Sequence, residues 1–227
     1  MKVDVIIPSL GKSHAFDALK SLKHLPFGIR LHLVTEGNSW PKAINIGLSE
    51  STGDVLLMDD DVRILPDTFT DLNIYYDKAD IFGFKLLFED GRIQHAGGFS
   101  RDGCLGHIGF GQYKGFDVPY YTCHNTASLL YIKRHVVEKL MGMSMDFKGV
   151  QFEDVDFSFR ALKEGFKILY IPNKALHLES QTKKESPEFN ERMFENYNAL
   201  RKRYFTDMSF LMEVEKYPKQ YGKYPLP

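Results

Sequence analysis

The chain has 227 residues, with 29 Lys and Arg against 30 Asp and Glu, so its formal charge is −1. Hydrophobic residues at 43% and aromatic residues at 14% supply ample apolar surface for a core and exclude a disordered chain. Near-neutrality argues against nucleic-acid binding through a basic face, two cysteines exclude a disulfide-stapled framework, and no stretch approaches the roughly 18 apolar residues of a membrane span. Length suits one large domain or two small ones, and a cytoplasmic protein is the default, with contact to a membrane surface left open.

Residues 3–8 (VDVIIP) read as a short buried strand stopped by Pro8. Phe16, Leu19, Leu22 and Leu25 recur every three residues and predict an amphipathic helix over 13–25. Residues 29–35 alternate as a second strand. Residues 41–48 form a helix with Pro41 in its first turn, and 55–58 a third, wholly apolar strand. Strand, helix, strand, helix, strand with short links predicts an α/β fold, a mostly parallel sheet covered by helices, with ligands beyond the carboxyl ends of its strands. A helix is expected over 66–76, strands over 81–88 and 126–132, and a long glycine-rich loop or lid over 97–115. A helix over 154–164 ends at Gly165, a strand over 167–171 is closed by Pro172, and Ser186 and Pro187 open a last helix to about Tyr204. The stretch after Asp207 is weakly patterned.

Several residues are candidates for chemistry. Asp59, Asp60 and Asp61 follow the third strand, and in extended chain Asp59 and Asp61 share a face. Two carboxylates there call for a cation, and oxygen ligands suit Mg²⁺ or Mn²⁺; an acidic surface turn is the plainer alternative. Glu153, Asp154 and Asp156 sit at a helix start, where free N–H groups favour acidic side chains whether or not one is a general base. Arg160 lies four residues beyond Asp156 and pairs with it. His177 between leucines reads as a packed histidine or a ligand. Cys104, His107, Cys123 and His124 lack the tight spacing of a zinc knuckle. Arg201, Lys202 and Arg203 read as a solvated helix face.

Three segments in this order resemble glycosyltransferase family 2, nucleotide-sugar-dependent enzymes of the GT-A fold. They are Val5-Ile6-Ile7-Pro8-Ser9; Lys42-Ala43-Ile44-Asn45-Ile46-Gly47 with Ser51-Thr52-Gly53-Asp54 and Leu57-Met58-Asp59-Asp60-Asp61; and Phe152-Glu153-Asp154-Val155-Asp156-Phe157 with Arg160, Gly165, Tyr170-Ile171-Pro172 and His177. The likeness spans about residues 2–180, with the second segment matching the DxD motif and the third the ED motif. Ser9-Leu10-Gly11-Lys12 departs from the family's usual aromatic-Asn pair.

The resemblance implies a GT-A domain over 1–207, with a nucleotide half (1–61), a sugar and acceptor half (62–207) and a tail (208–227). It implies nucleotide contacts from Pro8, Ser9, Glu36, Lys42, Asn45, Asp59 and Asp60. Asp59, Asp61 and His177 would hold Mn²⁺ or Mg²⁺, Asp154 would be the catalytic base, and Glu153, His124 and Asn125 would meet sugar or acceptor. The expected reaction is an inverting transfer from a nucleotide-sugar, with UDP the commonest carrier, to a saccharide or other hydroxyl. A nucleotidyltransferase and a non-catalytic nucleotide- or sugar-binding module are the alternatives.

Overall fold

The computed structural model describes residues 2–147, 151–178 and 187–220. β1 (Lys2–Pro8) leads through α1 (His14–Ser21) to β2 (Gly28–Val34), and α2 (Trp40–Glu50) returns to β3 (Val55–Met58). Then follow β4 (Val62–Ile64), α3 (Leu72–Tyr75), β5 (Ile81–Leu87), β6 (Ile93–His95), β7 (Gly98–Arg101), β8 (Cys104–His107), β9 (Tyr120–Tyr121) and β10 (Leu129–Ile132). The chain ends with α4 (Arg134–Leu140), α5 (Glu153–Lys163), β11 (Ile168–His177), α6 (Pro187–Tyr204), α7 (Met208–Val214) and β12 (Lys219–Gln220).

One sheet runs through the whole molecule in the order β12-β9-β11-β5-β10-β3-β1-β2, with β4 on β11 and β6 on β5. β2, β1, β3, β5 and β11 run in one direction, and β10 opposes them between β3 and β5. The alternation along β1 decides where the helices go. Val3, Val5 and Ile7 pack with Ala18 of α1, whereas Ile6 packs with Ile44 and Leu48 of α2 on the other face. The connections from β1 and into β3 therefore leave on opposite faces, and a crevice opens where their carboxyl ends diverge. β3 is buried at every residue, which explains its unbroken apolar run.

Three expectations change in the structure. Pro172 does not close the last long strand: the register shifts between Ile171 and Lys174, and β11 continues to His177 against β4. A bulge tolerates Pro because no ladder N–H is needed there. The region 97–115 contains a hairpin, β7 paired with β8. Its turn residues, Asp102 (φ 50°) and Gly103 (φ 75°), are both left-handed, the Asp-Gly pairing that a two-residue hairpin turn demands. The weakly patterned stretch after Asp207 forms α7, whose Phe210 and Val214 are buried with Phe159, Leu200 and Tyr204.

Over 66–76, only Leu72–Tyr75 is α-helical. Arg201, Lys202 and Arg203 are exposed, as a solvated face requires, and Arg203 also reaches the buried Asp156: its Nη1 donates to Asp156 Oδ1 at 2.7 Å, and Arg160 Nε donates to Asp156 Oδ2 at 2.9 Å. Ser186 and residues 221–227 lie outside the described residues. No helix among the described residues is long and apolar enough to cross a membrane.

Candidate active site

The crevice is a cavity of about 890 Å³ over the carboxyl ends of β1, β2 and β3, a volume in the range of small-molecule sites. Pro8 and Ser9 line it from the end of β1, Glu36 from the link after β2, Trp40 from the start of α2, and Asp59, Asp60 and Asp61 from the end of β3. The far wall holds His124, His107, Phe99 and Phe110, the first turn of α5 with Glu153 and Asp154, and His177 at the end of β11.

The acidic triplet divides as the alternation of side chains predicts, although the chain turns there rather than running on: Val62 N donates to Asp59 O at 3.1 Å. Asp60 is held on one side by Ser9 Oγ, which donates at 2.6 Å, with His14 Nε2 at 3.3 Å. Ligand atoms of Asp59, Asp61 and His177 lie within 4.8 Å of one another on the other side. Trp40 Nε1 donates to Asp59 Oδ1 at 2.8 Å, and His177 Nε2 lies 3.1 Å from Asp61 Oδ1. Behind His177, Nδ1 donates to Gln94 Oε1 at 2.6 Å. His177 reaches the triplet because β11 continues past Pro172 and because Leu178 N donates to Asp61 O at 3.0 Å.

The electrostatics mark a site short of positive charge. Burial pushes the Asp59 carboxyl up; His177 opposes this, and the neighbouring Asp61 charge adds to it. Burial would raise Asp61 too, but the hydrogen bond and charge of His177 outweigh it and hold Asp61 below the usual carboxylate range. Two crowded carboxylates and one imidazole fit a divalent cation that takes oxygen and nitrogen ligands, such as Mn²⁺ or Mg²⁺.

Asp154 lies in the first turn of α5, half-buried, with Oδ1 accepting from Val155 N at 2.8 Å. Gln151 (φ 100°) and Phe152 (φ 71°) precede the helix in the left-handed region, and both line the cavity. Such backbone in non-glycine residues costs about 1–3 kcal/mol each and gathers at functional sites. Glu153 is buried beside Asp154. His124 is buried in the wall; burial, and then His107, hold its imidazole down at about 3, so it is neutral. Gly98 makes room for that ring, since a Cβ at position 98 would stand 2.2 Å from His124 Cε1.

Three expected contacts lie outside the lining. Lys42 is exposed on α2. Asn45 exchanges two hydrogen bonds with the backbone of Met143, at 2.9 and 2.8 Å, and staples α2 to the segment after α4. Asn125 is fully buried and accepts from His95 Nε2 at 3.1 Å. Cys104 and Cys123 form no disulfide and belong to no ligand cluster among the described residues, and burial pushes the Cys123 thiol up to about 12, so it stays protonated.

Sequence reasoning missed Trp40 and Gln94, and weighed His107 only as a zinc ligand. Trp40 carried a usable signal as the only tryptophan, placed directly before the Pro41 that opens α2. Gln94 carried none, since a bulge on a short strand places it.

No protein-family model matches the chain. The uncharacterized protein y4gI of Sinorhizobium fredii (strain NBRC 101917 / NGR234) is 27% identical over 177 residues, which cover 71% of this chain and 20% of that protein. The chain thus spans about a fifth of that relative's length. Among solved structures, the mannosyltransferase PcManGT from Pyrobaculum calidifontis, in complex with GDP-Man and Mn²⁺, is 14% identical with a TM-score of 0.61, over 94% of this chain and 69% of that one. S. aureus TarS 1-349 in complex with UDP-GlcNAc is 16% identical with a TM-score of 0.61, over 95% and 70%. GalNAc-T7 with UDP, GalNAc and Mn²⁺ is 14% identical with a TM-score of 0.61, over 92% and 49%. At these identities the likeness is one of fold: the chain is a single domain of the GT-A architecture.

Proposed function

We propose that the protein is a metal-dependent glycosyltransferase that moves a sugar from a nucleotide-sugar to an acceptor hydroxyl. One observation carries this reading: Asp59, Asp61 and His177 converge within 4.8 Å on the wall of the cavity. PcManGT with GDP-Man and Mn²⁺, and GalNAc-T7 with UDP and Mn²⁺, support it by the fold they share with this chain.

In this reading Glu36, Pro8 and Ser9 bind the nucleoside, and Asp59 lies beside the ribose. Asp59, Asp61 and His177 would hold Mn²⁺ or Mg²⁺, which supplies Lewis-acid neutralisation of the charge on a departing diphosphate. Asp154 takes the proton from the acceptor hydroxyl as that oxygen attacks the anomeric carbon opposite the leaving group, so the configuration inverts. Glu153 and His124 contact sugar or acceptor. The β7–β8 hairpin covers the sugar side and excludes water, which limits hydrolysis of the donor. UDP is the preferred carrier, a saccharide the preferred acceptor, and the cytoplasm the place of action.

A thermal-shift screen of nucleotide-sugars with and without Mn²⁺, followed by product analysis, tests this, because a ligand that binds only the folded chain stabilises it. A donor that stabilises only with Mn²⁺ and yields glycosylated product with inverted configuration is expected. Stabilisation by nucleoside triphosphate with release of pyrophosphate would indicate a nucleotidyltransferase, and binding without turnover of any donor a binding module.

A further inference from the structure

We infer that Gln94 is a positioning residue that holds His177 in the one neutral form able to ligate a cation. The inference rests on reading Asp59, Asp61 and His177 as a cation site.

A neutral imidazole carries a single ring proton, so an acceptor on one nitrogen decides what the other can do. Gln94 is 4% exposed, and its Oε1 takes the Nδ1 proton at 2.6 Å. The neutral ring then presents Nε2 as a bare lone pair, 3.1 Å from Asp61 Oδ1. Nitrogen and carboxylate oxygen cannot face each other there as two acceptors. A cation held by both atoms would satisfy them. With Gln94 absent, the ring is free to keep its proton on Nε2, donate to Asp61 and lose its ligand lone pair.

The backbone shows how Gln94 is aimed. β6 pairs with β5 through Leu86 with His95 and Leu87 with Ile93, so Gln94 is the extra residue of a bulge. A bulge re-aims the side chain it carries. The same two residues of β5 pair on their other edge with Ala175 and Leu176 of β11, next to His177. Gln94 and His177 thus meet across the end of β5, each presented beyond an irregularity in its own strand.

Mn²⁺ binding to the full chain, read by isothermal titration and electron paramagnetic resonance, tests the role, together with long-range ¹H–¹⁵N spectra of the imidazoles. Wild type loaded with diamagnetic Mg²⁺ should show His177 with its ring proton on Nδ1. Gln94→Leu should weaken Mn²⁺ binding by about 10–100-fold, the usual loss when a ligand's supporting partner is removed, and shift the His177 proton to Nε2. Gln94→Glu, which still accepts from Nδ1, should restore affinity. In a His177→Ala background Gln94→Leu should add nothing, because it acts through the missing ring. Wild-type His177 carrying its ring proton on Nε2 in the Mg²⁺-loaded chain overturns the inference, and that measurement needs no variant to fold. So does Gln94→Leu with unchanged Mn²⁺ affinity, or with an equal loss in the His177→Ala background. Asp61→Ala is the control for the site: if it binds Mn²⁺ like wild type, the cation site itself fails, while the ¹⁵N spectrum of wild type still decides what Gln94 does.

Discussion

The two ends of the parallel strands use the same residue types for opposite purposes. At the amino end, Asp4 is buried but accepts from Thr52 N at 2.9 Å and Gly53 N at 2.8 Å, with His32 Nε2 at 2.8 Å and Arg30 at 3.3 Å. Burial alone would raise its carboxyl, yet His32, those two N–H groups and Arg30 hold it below its ordinary value. Asp54, at the same end, accepts from the hydroxyls of Tyr76 and Tyr131 at 2.7 Å each and from Arg134 N at 2.9 Å. These carboxylates are satisfied within the chain, and they lock the turn before β3 and the start of α4. At the carboxyl end, three aspartates in a row share fewer donors, and Asp59 is pushed up rather than down. A buried carboxylate with a full set of donors holds a fold together, whereas a crowded pair aimed into a cavity is short of a cation.

That contrast can be broken from either end. The largest effect is expected at Asp154. Asp154→Asn should lower kcat by about 10²–10⁴ while donor Kd stays near wild type, because it removes a proton acceptor and little else. Loss of donor binding together with activity would move the base elsewhere. Next in size, Asp54→Ala should destabilise the chain by about 3 kcal/mol in chemical denaturation, since one buried hydroxyl, one half-buried hydroxyl and one N–H lose their acceptor. Its nucleotide affinity should be unchanged; a comparable affinity loss would erase the distinction between the two ends.

Acidification gives a smaller effect with a definite sign. His95 and His124 are buried and held well below the usual imidazole value, first by burial and then by His107. The unfolded chain takes up these protons near pH 6.5 and the folded chain does not, so stability is intact above that pH and falls below it. At pH 5 each contributes a loss of about 2 kcal/mol relative to neutral pH, read as a drop in melting temperature. His124→Asn should flatten that slope. The smallest effect is expected for Lys42→Ala, which should change nucleotide Kd by less than about threefold, as for a solvated surface charge.

The first three parallel strands were legible because local signals agree there. The apolar runs of β1 and β3, Pro41 in the first turn of α2 and the Asp triplet at a strand end all act over a few residues. Asp59, Asp61 and His177 were named before they could be seen to meet. What stayed hidden depends on contacts between segments distant in sequence. Nothing near Pro172 announces that β11 will resume after a bulge and deliver His177 to Val62. Asn45 and Asn125 look like polar groups available to a ligand until Met143 and His95 occupy them. The hairpin was readable in hindsight from Asp102-Gly103, a local signal outweighed by the glycine density around it.

The central claim is that the carboxyl end of the sheet binds a nucleoside diphosphate through a divalent cation held by Asp59, Asp61 and His177. The most direct measurement titrates UDP and GDP, with and without Mn²⁺, into wild type and Asp61→Ala, following the fluorescence of Trp40, the only tryptophan and a lining residue of the cavity. The account predicts Mn²⁺-dependent binding of one of the two to wild type and its loss, by about 100-fold or more, in a folded Asp61→Ala chain. Equal affinity of the two chains in the presence of Mn²⁺ would contradict it.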